Sequence, residues 1–209
     1  MNAFPNRSVS PFPSRAALAL ERAPWSELER EFVDGGTPAL DDLIGWEFRG
    51  INRLPVNQLP IARMIGIKKF CKGFFREGDP HSAPTFGGAA RSGEAGPCGR
   101  VMGYNSPVAM NALDGRWHIA PKKFGYYEVA AVDATARDNV YLHAVLLDYG
   151  KGGNKAMDPT AGLRDYVVQL GEDLFLGKAY YAVGPARIGG LNFFILERHR
   201  VGLTDYARR

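Results

Sequence analysis

Between residues 100 and 198 the chain alternates strand-length apolar segments with turn residues, and no segment of helical length and period intervenes. The segments are 100–104, 116–120, 124–132, 140–148, 163–170, 173–183 and 191–198. Asp114-Gly115, Asp138-Asn139, residues 150–154, Gly171 and residues 184–190 punctuate them. Parallel strands need crossover helices, so this texture points away from parallel β-α-β units. Upstream, Trp46-Glu47-Phe48-Arg49-Gly50 alternates aromatic and charged residues like one more strand, making eight. Eight antiparallel strands close most economically into an up-and-down barrel, which leaves no exposed edge. The expected fold is therefore mainly β, an eight-stranded antiparallel up-and-down barrel with N-terminal helices and one inserted amphipathic helix. An open sheet packed on that inserted helix is the alternative architecture.

The remaining segments supply the helices. Residues 1–14 carry Pro5, Pro11 and Pro13 and read as a leader without regular structure. Ala16, Leu18, Leu20, Trp25, Leu28 and Phe32 form an apolar helical stripe, with Pro24 suited to the first turn of a second helix and Gly35-Gly36 to its end. Thr37 and Pro38 read as N-cap and first residue of a further short helix that stops at Gly45. In 56–76, Ile61, Met64, Ile65, Ile67, Phe70, Phe74 and Phe75 interleave with Arg63, Lys68, Lys69, Lys72 and Arg76. That pattern predicts a basic amphipathic helix. Residues 78–99, rich in Gly, Ala, Ser and Pro, predict a mobile loop. The domain organisation expected is a leader and helical extension over 1–36, then a single barrel over 37–209 with a helix and loop insertion at 56–99.

Composition excludes several classes. A chain of 209 residues with 45% hydrophobic content can bury a core without disulfides or a structural metal. The net charge of +4 is mild and no long Lys/Arg block is present, so no nucleic-acid partner is expected. The two cysteines, Cys71 and Cys98, belong to no CxxC pair and read as reduced thiols, a single bridge remaining open. No signal-like apolar region follows a basic start, and no stretch reaches the ~18 apolar residues of a membrane span. A cytoplasmic location is the expectation.

Chemistry-bearing motifs are sparse. Gly150-Lys151-Gly152-Gly153-Asn154-Lys155 lacks phosphate-loop spacing and reads as a loop between strands. His81, His118, His143 and His199 form no zinc pattern, so no metal is expected. No cofactor is predicted, although a single axial histidine, His143 or His199, leaves haem open. Adjacent strand residues point to opposite faces, so one of Arg164 and Asp165 must face inward, where a charge has to be paired. That makes Asp148, at the end of an apolar strand, and Arg164 either polar anchors in a cavity or a cross-strand ion pair. Aromatics crowd the strands, including Tyr126, Tyr127, Tyr149, Tyr166, Tyr180 and Phe193. The ligand-binding residues expected are Phe70, Tyr126, Asp148, Arg164, Tyr180 and Phe193.

The two ends of the strand-rich region resemble the lipocalin-like, or calycin, barrels. Gly45-Trp46 follows a short helix at the start of the first strand, with Gly50 further on, and Arg198 closes the last strand. The resemblance implies that Arg198 packs on Trp46 through a cation–π contact at the closed end. The start is also similar to the bacterial GXWXG-type domains, although here Trp46 follows Gly45 directly and Phe48 holds the place of the Trp counted from Gly50. By analogy these likenesses imply binding of a small hydrophobic ligand, a lipid or fatty acid, without catalysis. Related nitrobindin-type barrels imply haem. An enzyme using polar groups in the same cavity, and a module that meets an anionic membrane or a protein through the basic helix 56–76, are the rival functions. The sequence is silent on oligomeric state.

Overall fold

The computed structural model describes residues 10–54, 68–78, 99–108, 116–136, 140–155, 158–183 and 186–201. Helices α1 (Arg15–Arg22), α2 (Trp25–Asp34) and α3 (Leu40–Leu43) precede eight strands. These are β1 (Trp46–Arg53), β2 (Lys69–Arg76), β3 (Val101–Pro107), β4 (Phe124–Ala131), β5 (Val145–Asp148), β6 (Leu163–Gln169), β7 (Leu174–Val183) and β8 (Ala186–Val201). Each strand pairs antiparallel with its neighbours in sequence, and β1 pairs with β8, so the sheet closes into an up-and-down barrel.

Two strands differ from the sequence expectation. Residues 69–76 are β2 and not the second half of a helix. Their side chains take alternate faces of the sheet, as in a strand: Phe70, Lys72 and Phe74 point into the barrel, while Cys71 packs on the outer face. The helical reading required Lys72 to be solvated, and it is buried. Residues 56–67 of the expected helix, and 79–98 of the expected loop, lie outside the described residues, as do residues 1–9. The segment 116–120 is not a ladder strand. It contributes one bridge, Val108 to Ile119, and Trp117 crosses the outer face with its indole N–H donating to the Phe70 carbonyl at 3.1 Å. The count of eight strands stands because β2 takes the place of this segment.

The entry into the barrel is set by local backbone. Ser14 caps α1 by accepting from the Ala17 N–H, and Pro24 stands at the N-cap of α2. Thr37 does not cap α3, which begins after Ala39; its hydroxyl donates instead to the His143 carbonyl at 2.7 Å. Gly45 has φ +80°, a conformation that favours glycine, and this turn brings Trp46 in under the barrel. There the Arg198 guanidinium lies 4.7 Å from the Trp46 ring centroid and 5.5 Å from that of Phe48. It also pairs with Asp173 at 2.8 Å and donates to the Asp42 carbonyl. These contacts gather at the end where β1 starts and β8 finishes.

The barrel has two separate apolar layers. Inside lie Phe48, Phe70, Phe74, Tyr127, Tyr149, Phe175, Phe194 and the aliphatics Val101, Val129, Val145, Leu147, Val167 and Leu196. Outside, Ala17, Leu20, Leu28 and Phe32 of the helices cover Ile51, Leu146, Tyr166, Val168, Leu176, Phe193 and Ile195. Burial of each such side chain contributes about 1.5–3 kcal/mol. Large rings fit the interior because glycine stands across the ladder from them. Gly50 faces Phe70, Gly103 faces Tyr127, and Gly177 faces Phe194. At Gly177 a Cβ would fall 2.0 Å from the Phe194 ring. Gly177→Ala should therefore displace that ring and lower stability by about 1–3 kcal/mol. Urea unfolding would show it as a reduced midpoint at unchanged slope; an unaltered midpoint would refute the steric account.

Candidate functional site

A polar centre sits inside this aromatic interior, towards the end opposite Trp46. Lys72 comes from β2, Asn105 from β3, Asp165 from β6, and Tyr149 from the 3-10 turn Tyr149–Lys151 after β5. All four are buried, Lys72 at 2% exposure. Strand alternation puts them there: Lys72 lies between inward Phe70 and Phe74, and Asp165 between inward Leu163 and Val167.

The hydrogen bonds form a closed set. The Lys72 ammonium donates to Tyr149 Oη at 2.5 Å, to Asn105 Oδ1 at 3.0 Å and to Asp165 Oδ2 at 3.0 Å, using all three of its protons. Tyr149 donates to Asp165 Oδ2 at 3.0 Å. Asn105 Nδ2 donates to Tyr149 Oη at 3.1 Å and to the Gly125 carbonyl at 2.9 Å. Gly125 has φ +53°, and a Cβ there would stand 3.0 Å from Asn105 Nδ2, so glycine permits this approach. Aromatic rings enclose the ammonium, with centroids at 4.7 Å for Tyr127, 5.1 Å for Tyr149, 5.3 Å for Phe194 and 5.6 Å for Phe70.

Electrostatics follow from burial. Desolvation lowers the Lys72 pKa from the ordinary lysine value, and the Asp165 carboxylate opposes that shift. Desolvation, reinforced by Asp165, pushes the Tyr149 phenol well above its ordinary value. The Tyr127 phenol is raised by the same cause. The centre thus holds a buried ammonium opposite a buried carboxylate, with no net charge. A buried pair of this kind contributes little net stability compared with apolar residues of the same volume.

Of the expected ligand-binding residues, Phe70 alone faces this centre. Asp148 and Arg164 are opposite one another on β5 and β6, on the outer face, and form a 3.0 Å ion pair there. The inward residue of the pair Arg164–Asp165 is Asp165. Tyr126 is half-buried on the outside beside Phe75, Met102 and Tyr104. Phe193 packs at 4.8 Å on Trp25 of α2, and Tyr180 joins Tyr141 and Tyr166 on the same covered wall. The six are not gathered in one place. His143 faces the Phe32 carbonyl at 3.1 Å, outside the barrel. Lys72, Asn105 and the inward role of Tyr149 escaped the sequence reading; the inward alternation Phe70-Lys72-Phe74 is the signal that could have found the lysine.

A second buried polar row runs along the outer wall. Glu47, at 1% exposure, receives hydrogen bonds from Tyr104, Lys123 and Arg200. Arg49 pairs with Glu197 at 2.8 Å, and the Ser14 N–H donates to the same carboxylate. His199 lies by the β8 irregularity near these groups, and burial, with the Arg49 and Arg200 guanidiniums beside it, pushes its pKa down to about 4. Cys71 is a free, buried thiol on the same wall, and burial raises its pKa. Among the described residues no group of His, Cys, Asp and Glu could hold a metal ion, and no helix is long and apolar enough to cross a membrane.

No family model matches the chain, and neither a curated protein nor a solved structure matches it.

Breaking the central pair should be worse than removing it. Lys72→Met alone leaves the Asp165 carboxylate buried without its cation and should cost about 3–5 kcal/mol, whereas Lys72→Met with Asp165→Leu should cost clearly less. Chemical unfolding of both variants gives the comparison, and equal losses would deny the coupling. A further expectation concerns acid. His199 is neutral in the folded chain down to about pH 4, while the unfolded chain takes up that proton below its ordinary value of 6.5. Stability should fall as pH drops through that window, and His199→Gln should flatten the fall. Thermal unfolding measured across the window would reveal an unchanged slope if the histidine were not responsible.

Proposed function

We propose that the protein binds a small, mainly apolar molecule inside the barrel, towards the end opposite Trp46 and Arg198. The observation that carries this reading is the Lys72–Tyr149–Asn105–Asp165 centre, buried among aromatic rings in a closed eight-stranded barrel. Small-molecule sites combine an apolar, aromatic lining with a few converging polar groups. An eight-stranded barrel can hold one small ligand. The up-and-down order and the Arg198–Trp46 contact add to the lipocalin-like resemblance, which points the same way by analogy. A hydrogen-bonding head group would exchange for one of the bonds among Lys72, Tyr149 and Asp165, and the apolar part of the ligand would meet Phe70 and Phe194.

Native mass spectrometry of gently purified protein should show one bound small molecule per chain. Lys72→Met with Asp165→Leu should lose that molecule while keeping its β circular dichroism. Protein that emerges empty, and whose tryptophan emission is unmoved by a panel of fatty acids and neutral amphiphiles, would overturn the reading.

A further inference from the structure

The polar centre has the parts of a reactive amine as well as those of an anchor. Guanidinium groups are better suited than ammonium groups to static buried pairs, because they offer a fixed fork and do not lose their proton. The outer wall uses both kinds of cation in its buried pairs, arginine in Arg49–Glu197 and lysine in Lys123–Glu47. In the barrel interior the cation is a lysine, which can become a neutral nucleophile.

Resting on the ligand-binding reading above, we propose that Lys72 forms an imine with the carbonyl group of an uncharged, apolar aldehyde or ketone held in the barrel, with Tyr149 and Asp165 carrying the protons. The geometry supplies the amine and its two proton carriers. Lys72 Nζ, Tyr149 Oη and Asp165 Oδ2 form a hydrogen-bonded triangle with sides of 2.5, 3.0 and 3.0 Å. One proton moved from Nζ to Asp165 leaves a neutral amine beside a neutral acid, both within hydrogen-bond distance of Tyr149 Oη. The Nζ lone pair then adds to the carbonyl carbon, and the carbonyl π pair moves to oxygen, which takes a proton from the Tyr149–Asp165 couple. Nζ gives up its remaining surplus proton to the same couple. The hydroxyl group, protonated by it, departs as water and leaves a C=N bond. One amine and one carbonyl thus give one imine and one water, with no oxidation or reduction. When the imine is protonated it is again a cation, and it occupies the place the ammonium held, opposite Asp165 and among the rings of Tyr127, Tyr149, Phe194 and Phe70. Asn105, tied to the Gly125 carbonyl, fixes the direction of the amine. The apolar faces of the cage select an uncharged carbonyl compound.

The test uses the full chain, limiting benzaldehyde and sodium cyanoborohydride at neutral pH, where ordinary exposed lysines are protonated. Intact mass and peptide mapping locate the first benzyl group. It should appear on Lys72 ahead of the exposed Lys68 and Lys151, and Tyr149→Phe should slow its appearance by about tenfold or more. The comparison among lysines is made within the unaltered protein, so it does not depend on a variant that folds. Benzyl alcohol, which cannot condense, separates binding from chemistry through quenching of tryptophan emission. If benzaldehyde and benzyl alcohol both bind but Lys72 is alkylated no faster than Lys68, the imine is refuted and ligand binding stands. If neither binds and Lys72 stays unmodified, both are refuted.

Discussion

The ladder between β1 and β8 joins segments near opposite ends of the chain, and the arrangement of everything inside the barrel depends on it. Without it both strands would present unpaired backbone groups along a full edge. Its register includes an irregularity between Glu47 and Phe48, and the phase of the last strand depends on that shift. After it, Phe48 pairs with Arg198, which turns in towards Trp46, while Glu47 pairs with Arg200 on the outside. Strand side chains alternate with a period of two, so a slip of β8 by one residue would send Arg198 to the wall and turn Glu197 into the interior. Closure also fixes how wide the interior can be. Three of the interior rings, Phe70, Tyr127 and Phe194, lie across the ladder from residues without side chains, Gly50, Gly103 and Gly177.

Charge is divided between the two faces of the sheet in different ways. On the outer wall, charged groups are numerous and are covered by α1, α2 and the segment around Trp117 and Lys123. Lys178 there reaches Glu29 of α2 at 2.6 Å and the Tyr141 hydroxyl at 3.0 Å, which ties the helix to the barrel. These pairs work as fasteners, with one partner often reaching water; Glu29 is 40% exposed. Inside, the Lys72–Asp165 pair has no such access, and its energy depends on the aromatic rings and on the donors and acceptors of Tyr149 and Asn105. The interior is the more sensitive environment, because any change in one member leaves the others desolvated.

The fold was largely legible because its signal is repeated along the chain. Strand segments, turn residues and the lack of intervening helices all pointed to one closed antiparallel sheet. The helices 15–34 were legible from their apolar stripe and from Pro24. The centre was much less so. Lys72 looked like a solvated residue on a basic face, since a lysine in isolation belongs on a surface. Only the residues across the ladder could reveal its burial, and Asp165 and Tyr149 are remote in sequence. Asp165 was half legible: alternation demanded that it or Arg164 face inward, and the choice depended on which carboxylate and which cation lay opposite. Asp148 and Arg164 are legible as cavity groups or as a cross-strand ion pair, and their register makes them the pair, on the wall. The aromatics were visible as a class, but the face taken by each was set by register. Phe193 and Phe194 are neighbours in sequence, yet one packs on α2 and the other on the lysine.

The closing ladder also has a temporal meaning. A chain made from its N-terminus produces β1 early and β8 late, so one edge of β1 has no partner until nearly the whole barrel exists. Helix α1 packs on both of these strands and α2 on Phe193, so neither helix can complete its contacts sooner. Contacts this distant in sequence make folding slow compared with a helical bundle of similar stability. The last strand therefore acts as a latch. While β8 is unpaired the barrel is open along one edge, so Lys72 and Asp165 stay accessible to water. Their dehydration, and with it the lowered pKa of the amine, comes with closure.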